Sequence, residues 1–312
     1  MTNIHDIAKA SGYSVGTVSR VLNHKKYVSE PAREAILKTI KAYNYVPNRI
    51  ARSLSDGQTA TFGIVVPDIA QSFYNEFVRG AAEVAFKHQY RVELLPSSYA
   101  VATERRYLEL LRQQTFDGLI FVSHELPLAE IETYLPYGRI IICHDPGTSR
   151  LPAVYATRLA SYAQAFCWAK SRQQTRIGLI FGRSAAVSAT SQATITAYTS
   201  VFGQAPDSKY IKIGGTSYHD GYRLAAYFQS QPVDLILASS DDVAAGVSRY
   251  FADQNLPCPQ LIGQDRQVSG ELLNLATVDH HITQLGQTAA DLLIAGANRT
   301  VKIESQFIQH QR

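Results

Sequence analysis

Residues 3–59 read NIHDIAKASGYSVGTVSRVLNHKKYVSEPAREAILKTIKAYNYVPNRIARSLSDGQT, and the spacing of apolar residues within them predicts three short helices. Ile4, Ile7, Ala8 and Ser11 recur at helical period, Asn3 can cap the first amides, and Asp6 falls in the first turn, where the helix dipole favours an acid. Gly12 offers a permissive stop. Ser14 then caps a second helix, VGTVSRVLN, whose Val18, Val21 and Leu22 point inward. A third stretch, SEPAREAILKTIKAYNY, opens on Ser29 and an early Pro31 and sets Ala32, Ile36 and Ile40 along one side. Three such helices enclose one small core.

The outer side of the second helix displays Val15, Gly16, Thr17, Ser19 and Arg20. Arg can pair with a guanine edge, hydroxyls can reach phosphate or base, and Val can touch a thymine methyl in the major groove. Any exposed helix can show such residues, so charge matters too. The first sixty residues carry Lys9, Arg20, Lys25, Lys26, Arg33, Lys38, Lys41, Arg49 and Arg52 against Asp6, Glu30, Glu34 and Asp56, in a chain whose net charge is only +4. A basic head on a nearly neutral body suits a polyanion partner for the head alone. After Pro47, Asn48 can cap two helical turns over Arg49, Ile50, Ala51, Arg52, Ser53 and Leu54 before Asp56 and Gly57 break them. A helix that short orders only when something holds it.

Beyond residue 60, short apolar runs alternate with amphipathic stretches. FGIVV, RVELL, FDGLIFV and RIIIC read as buried strands between the helices FYNEFVRGAAEVAFKH, TERRYLELLRQQ and LPLAEIETYL. The rhythm restarts after LASYAQAFCWAKSRQQ, with RIGLIFG, YIKIG, DLILAS and QLIGQ as strands between TSQATITAYTSVF, YHDGYRLAAYFQS and DDVAAGVSRYFADQ. Such alternation predicts two α/β lobes with parallel sheets.

The stretch IHDIAKASGYSVGTVSRVLNHKKYVSEPAREAILKTIKAYNYVPNRIARSLSDGQT resembles the helix-turn-helix headpiece of the lactose-repressor and galactose-repressor family. The resemblance implies a headpiece over 1–46, a hinge helix and linker over 47–60, and a two-lobed effector-binding and dimerisation body over 61–312 like that of periplasmic binding proteins. It implies that Val15, Gly16 and Arg20 read bases, that Ser14, Thr17, Ser19 and Asn23 make phosphate or supporting contacts, and that the hinge residues Asn48, Arg49 and Ala51 lie with Leu54 in the minor groove, Leu54 as a wedge between central base pairs. Gly16 has no side chain to read with, unlike the long polar residue of some relatives.

In two-lobed proteins of this kind a ligand sits at the carboxyl ends of the strands. The loop residues there are Asp68, Phe73, His144, Asp145, Asp241 and Asp265. Carboxylates accept from sugar hydroxyls, and an aromatic ring stacks on a sugar face. Each loop aspartate can equally be a cap or a turn former, Asp241 above all. Family members often place an effector-binding arginine where this chain has Thr194, which the resemblance makes a seventh effector-binding position, an asparagine at Ser240 and an aspartate at Thr157. A galactoside or purine pocket does not carry over.

The reading expected from these residues is a DNA-binding transcriptional repressor of a palindromic, double-stranded operator, acting as a homodimer under a carbohydrate effector. The alternative is a sugar-sensing module without DNA regulation. No phosphate loop, HExxH, GxSxG or paired-cysteine spacing occurs in the sequence, so neither an enzyme, a cofactor nor a metal is expected, and Asp279, His280 and His281 lack further ligands in sequence. Cys143, Cys167 and Cys258 fit reduced thiols. The start MTNIHDIAKA has no signal-peptide pattern and no apolar run approaches a membrane span, which predicts a cytoplasmic protein without membrane contact.

Overall fold

The computed structural model describes residues 2–23, 25–46 and 57–309 and divides into two compact units, Met1–Ala60 and Thr61–Arg312. The hinge positions Asn48, Arg49, Ala51 and Leu54 lie outside the described residues.

In the first unit α1 (Ile4–Ser11), α2 (Val15–Leu22) and α3 (Glu30–Ala42) close on Ile7, Ala8, Val18, Val21 and Ile36. Local chemistry sets the boundaries. Asn3 Oδ1 accepts from His5 N and Asp6 N, and the Asp6 carboxylate accepts from Asn3 N at 2.9 Å, a reciprocal cap. Gly12 ends α1 at φ 77°, a backbone shape that a side chain disfavours. Ser14 Oγ then accepts from Thr17 N at 3.2 Å and starts α2.

The second unit runs through strands β1 (Thr61–Val66), β2 (Arg91–Pro96), β3 (Gly118–Phe121), β4 (Arg139–Ile142), β5 (Ala153–Thr157), β6 (Ile177–Phe181), β7 (Ile211–Ile213), β8 (Leu235–Leu237), β9 (Gln260–Gln264), β10 (Ala276–Asp279), β11 (Thr300–Glu304) and β12 (Gln306–Ile308). Its helices are α4 (Ser72–Lys87), α5 (Val101–Arg112), α6 (Leu128–Glu132), α7 (Leu159–Ser171), α8 (Ala189–Phe202), α9 (Tyr218–Ser230), α10 (Asp241–Asp253), α11 (Val268–Leu272) and α12 (Ile282–Ala295). Two sheets form, ordered β11-β5-β4-β3-β1-β2 and β12-β10-β9-β8-β6-β7. Each is buried on both faces by helices, which is why the central strands are continuous apolar runs.

Every strand pair is parallel except β10 with β12, where Val278 faces Phe307 in antiparallel register, so the second sheet is not wholly parallel as the alternation predicts. LPLAEIETYL is helical only over Leu128–Glu132; the chain then passes through a tight turn at Leu135–Tyr137, because Pro136 cannot continue an α-helix. In each lobe two helices meet at glycines. A Cβ on Gly80 of α4 would strike the Thr283 carbonyl of α12, and one on Gly221 of α9 would strike the Val243 carbonyl of α10.

The lobes are joined three times: from β5 into α7, from β10 into α12, and from β11 into β12. These crossings are tied together. Ser305 N donates to the Thr157 carbonyl at 3.2 Å, and His280 Nδ1 lies 2.7 Å from Ser305 Oγ. His280 Nε2 stands 3.1 Å from Gln264 Oε1, which also accepts from the Tyr162 hydroxyl at 2.7 Å. Gln264 Nε2 donates to the Ala238 carbonyl, so the amide orientation is set. His280 therefore carries its hydrogen on Nε2 and accepts from Ser305 on Nδ1, a neutral ring that burial holds well below the ordinary histidine range.

Candidate functional site

The first candidate site is α2. Capping by Ser14 consumes one amide of its first turn and turns the Ser14 and Thr17 hydroxyls toward each other at 2.9 Å. Val18 and Val21 are buried, whereas Ser14, Gly16 and Arg20 are exposed and Val15, Thr17, Ser19 and Asn23 half-buried. The seven predicted residues of this helix and its ends are thus all at least partly open to solvent, although Val15 also packs against the small core. Open space surrounds Gly16, with only Ser14 Oγ within reach of an added Cβ. The loop that follows carries exposed Lys25, Lys26 and Tyr27, the last 93% exposed, a cationic and aromatic edge that periodicity alone does not reveal.

The second candidate site lies between the lobes, where the strands end. Of its predicted residues, Asp68 is exposed and accepts from Ala70 N, as a turn former does. Phe73 is half-buried, packs on the first lobe's core and meets Tyr74 edge to face at 5.1 Å. Asp145 is exposed and accepts from Gly147 N at 3.0 Å. Thr194 is buried, and its hydroxyl donates to the Thr190 carbonyl of its own helix.

Asp241 departs furthest from expectation. It is fully buried, accepting from Gln267 N at 2.6 Å and Thr277 Oγ1 at 2.7 Å, so its carboxylate ties the start of α11 to β10 instead of facing a ligand. The cap of α10 is Ser240, whose Oγ accepts from Val243 N. Burial pushes the Asp241 carboxyl up to about 7.

Asp265, at the end of β9, has no hydrogen-bond partner for its carboxylate among the described residues, and burial, then the charge of Asp241, pushes it up to about 8. Its φ is 79° and that of Arg266 is 49°, two successive left-handed residues at a strand end, where strain often marks a site. Arg158, which sequence reasoning missed, stands at the end of β5. Its Nη1 donates to the Ala156 carbonyl at 3.3 Å, but its Nε is buried without a partner. Its positive charge acts on Asp265, yet the two form no ion pair.

Among the described residues, contacts across the crevice link the lobes at two places. Ser72 Oγ donates to Asp242 Oδ2 at 2.6 Å, and Arg183, just beyond β6, pairs with Glu125 in the loop after β3. A cavity of about 560 Å³ opens beside the first link, lined by Ser72, Glu76, Asp242, Asp265, Gln267 and His281 among others; of the seven predicted effector positions only Asp265 lines it. His144 instead meets His124, another residue missed from sequence, on the first lobe's side. Both histidines lie two or three residues past the ends of strands that the sheet sets side by side, a juxtaposition that appears only in the fold.

Comparison with known proteins adds a third line of observation. Residues 59–311 match the family described as periplasmic binding proteins and sugar binding domain of LacI family, and residues 3–48 match bacterial regulatory proteins, lacI family. Catabolite control protein B of Bacillus subtilis (strain 168) is 35% identical over 309 residues, covering 98% of this chain and 99% of its own. A ribose operon repressor of Halalkalibacterium halodurans is 31% identical over 302 residues, 94% of this chain and 90% of its own. Among solved structures, the Lac repressor dimer bound to operator and the anti-inducer ONPF superimposes with a TM-score of 0.83 at 18% identity, over 99% of this chain and 98% of that one. The transcriptional regulator CelR in complex with cellobiose gives 0.68 at 21% identity, over 99% and 98%.

Proposed function

The chain belongs to the LacI family of bacterial regulatory proteins, and from that premise we propose that it represses transcription by holding a palindromic operator with α2 until a small polyol or sugar in the inter-lobe crevice changes its grip. It is a DNA-binding transcriptional regulator and not an enzyme. The observation that carries the DNA half of this reading is the exposed face of α2, where Arg20 and Gly16 stand clear of the core with the Ser14 and Thr17 hydroxyls beside them. The second reading, a sugar sensor without DNA regulation, leaves that face and the basic head without a role.

Base reading falls to Val15, Gly16 and Arg20, and phosphate or supporting contacts to Ser14, Thr17, Ser19 and Asn23. Asn48, Arg49 and Ala51 form the hinge with Leu54, which wedges into the minor groove and bends the duplex. For the effector, the unclosed pair of Arg158 and Asp265 supplies a donor and an acceptor at the crossover end of the crevice. Dimerisation places two headpieces one helical turn apart or a multiple of it. Val268, 71% exposed, and Leu272, 81% exposed, give α11 an apolar face suited to that contact. No helix among the described residues is long and apolar enough to cross a membrane, and a regulator of DNA works in the cytoplasm.

The test is fluorescence anisotropy of the full chain on promoter fragments from its own locus, with bulk DNA as competitor and a panel of sugars and sugar phosphates. The reading requires one fragment to be preferred by a factor of about 10³ or more at moderate salt and one ligand to change that preference. Equal binding to every fragment, with and without ligands, sinks it.

A further inference from the structure

His124 and His144 follow adjacent parallel strands, β3 and β4, and their Nε2 atoms stand 2.6 Å apart. The other nitrogen of each ring is already engaged. His124 Nδ1 lies 2.7 Å from the Leu126 carbonyl oxygen, and His144 Nδ1 lies 3.0 Å from that of Asp145. A main-chain carbonyl only accepts, so each Nδ1 carries a hydrogen. In two neutral imidazoles that leaves both Nε2 atoms bare, with their lone pairs opposed. The alternative of moving one hydrogen to Nε2 turns a bare Nδ1 against a carbonyl oxygen, which loses a hydrogen bond and adds repulsion.

Something positive between the rings resolves the conflict. A transition metal needs about 2.0–2.1 Å to each nitrogen, which sets the nitrogens of an open site well beyond 2.6 Å. Nor do any three His, Cys, Asp or Glu side chains among the described residues group as metal ligands. A single proton fits the separation as it stands, in a short charge-assisted N–H···N bond.

We propose that His124 and His144 act as one proton-binding site, sharing a single proton between their Nε2 atoms, so that the first lobe's wall of the crevice gains one positive charge on acidification. The surroundings decide how much charge is tolerated. The Glu125 and Asp145 carboxylates favour the proton, and Arg183, held by Glu125, opposes it. Behind the His124 loop the buried Glu104 carboxylate accepts from Glu125 N and Leu126 N. The Phe121 ring meets His124 edge to face, Tyr99 stacks under Arg183, and the half-buried Cys143 beside His144 keeps its thiol neutral because desolvation raises it. Lys302 acts only through Asp145. Burial pulls both rings below the ordinary histidine range, and each ring's charge repels the other's, so the pair admits one proton and excludes a second. Only the consequence rests on the crevice reading: a ligand oxygen placed against the pair is held more tightly when the proton is present, which links effector affinity to pH.

The experiment is a pH titration of the full chain labelled with 15N-histidine, followed by long-range 1H–15N correlation of the nine histidine rings. The expected result is that the Nε2 signals of His124 and His144 move together with one midpoint, while both Nδ1 signals keep the protonated-type shift throughout. In His144→Ala the His124 ring loses that shared midpoint. Two separate midpoints, each ring taking its own proton, overturn the proposal. So does a wild-type pair in which one Nδ1 reads as bare across the whole range. No ligand is used, so failure here is separate from failure of the crevice as an effector site.

Discussion

Arg183 of the second lobe reaches Glu125 of the first, its Nη2 2.5 Å from the carboxylate, while its guanidinium lies 3.9 Å above the Tyr99 ring. The pair is partly exposed, at 26% and 39% of its side-chain surface, so its direct contribution to stability is at most about 1 kcal/mol. Its position at the crevice mouth gives it a larger effect on lobe geometry. Arg183→Ala is expected to leave the thermal midpoint nearly unchanged and to widen the body in small-angle scattering. An unchanged scattering curve shows that the bridge does not restrain the lobes.

Asp241 supplies a pH-dependent term. Its folded carboxyl lies at about 7 against an ordinary value of 3.8, so between those values the folded chain holds a proton that the unfolded chain has released. The stability this group contributes is therefore fully present below about pH 4 and declines as pH rises toward 7, by as much as about 4 kcal/mol. Asp241→Asn can still accept from Gln267 N and donate to the Thr277 hydroxyl. Its urea midpoint is expected to exceed that of the wild type at pH 8, with the difference shrinking at pH 5. A difference that stays constant with pH rejects the assignment.

Gly16 separates folding from reading. Space around it is open, and Ala in a helix is favoured over Gly by roughly 0.5–1 kcal/mol. Gly16→Ala is expected to hold or raise headpiece stability in thermal denaturation while lowering operator affinity, because on the proposed reading of α2 the added methyl would stand against the groove. Arg20→Ala is expected to weaken the operator by about 1–3 kcal/mol and bulk DNA much less. Equal losses on both DNAs leave Arg20 a phosphate contact only.

Val268 and Leu272 test the dimer. Replacing both with Asp sets charges on the apolar face of α11 without disturbing a buried contact. Light scattering behind size exclusion is expected to report a monomer whose far-ultraviolet spectrum is unchanged. A dimer that persists places the interface elsewhere.

The headpiece was legible in the sequence because each boundary has a local cause: the reciprocal cap of Asn3 and Asp6, the left-handed stop at Gly12, the cap at Ser14. The strands β1, β3, β4, β6 and β8 were legible too, since a strand covered on both faces must be apolar throughout, and the edge strands β2 and β7 were legible from their apolar residues between turn signals. The strands β5 and β10–β12 were not, because AVYAT and QFI show no clear period and their pairing is set by the lobe crossings, β5 with β11 almost 150 residues on and β12 antiparallel with β10. Asp241 shows a different limit. Its place in a loop after a strand was readable, but whether its carboxylate turned outward or inward depended on Gly263 and Gly270, whose missing side chains leave it room. Arg158 and His124 escaped notice because their meaning lies in what faces them.

The return of β11 to the edge of the first sheet sets an order of assembly during synthesis. The three-helix head is contiguous, and its core is complete once Tyr45 has left the ribosome. The first lobe, by contrast, waits for α12 to cover Phe77 and for Thr300–Glu304 to pair with β5. Until those residues have been made, its half-built sheet shows apolar surface to the cell, so a product ended before them keeps a folded DNA-binding head on a body open to chaperones and proteases.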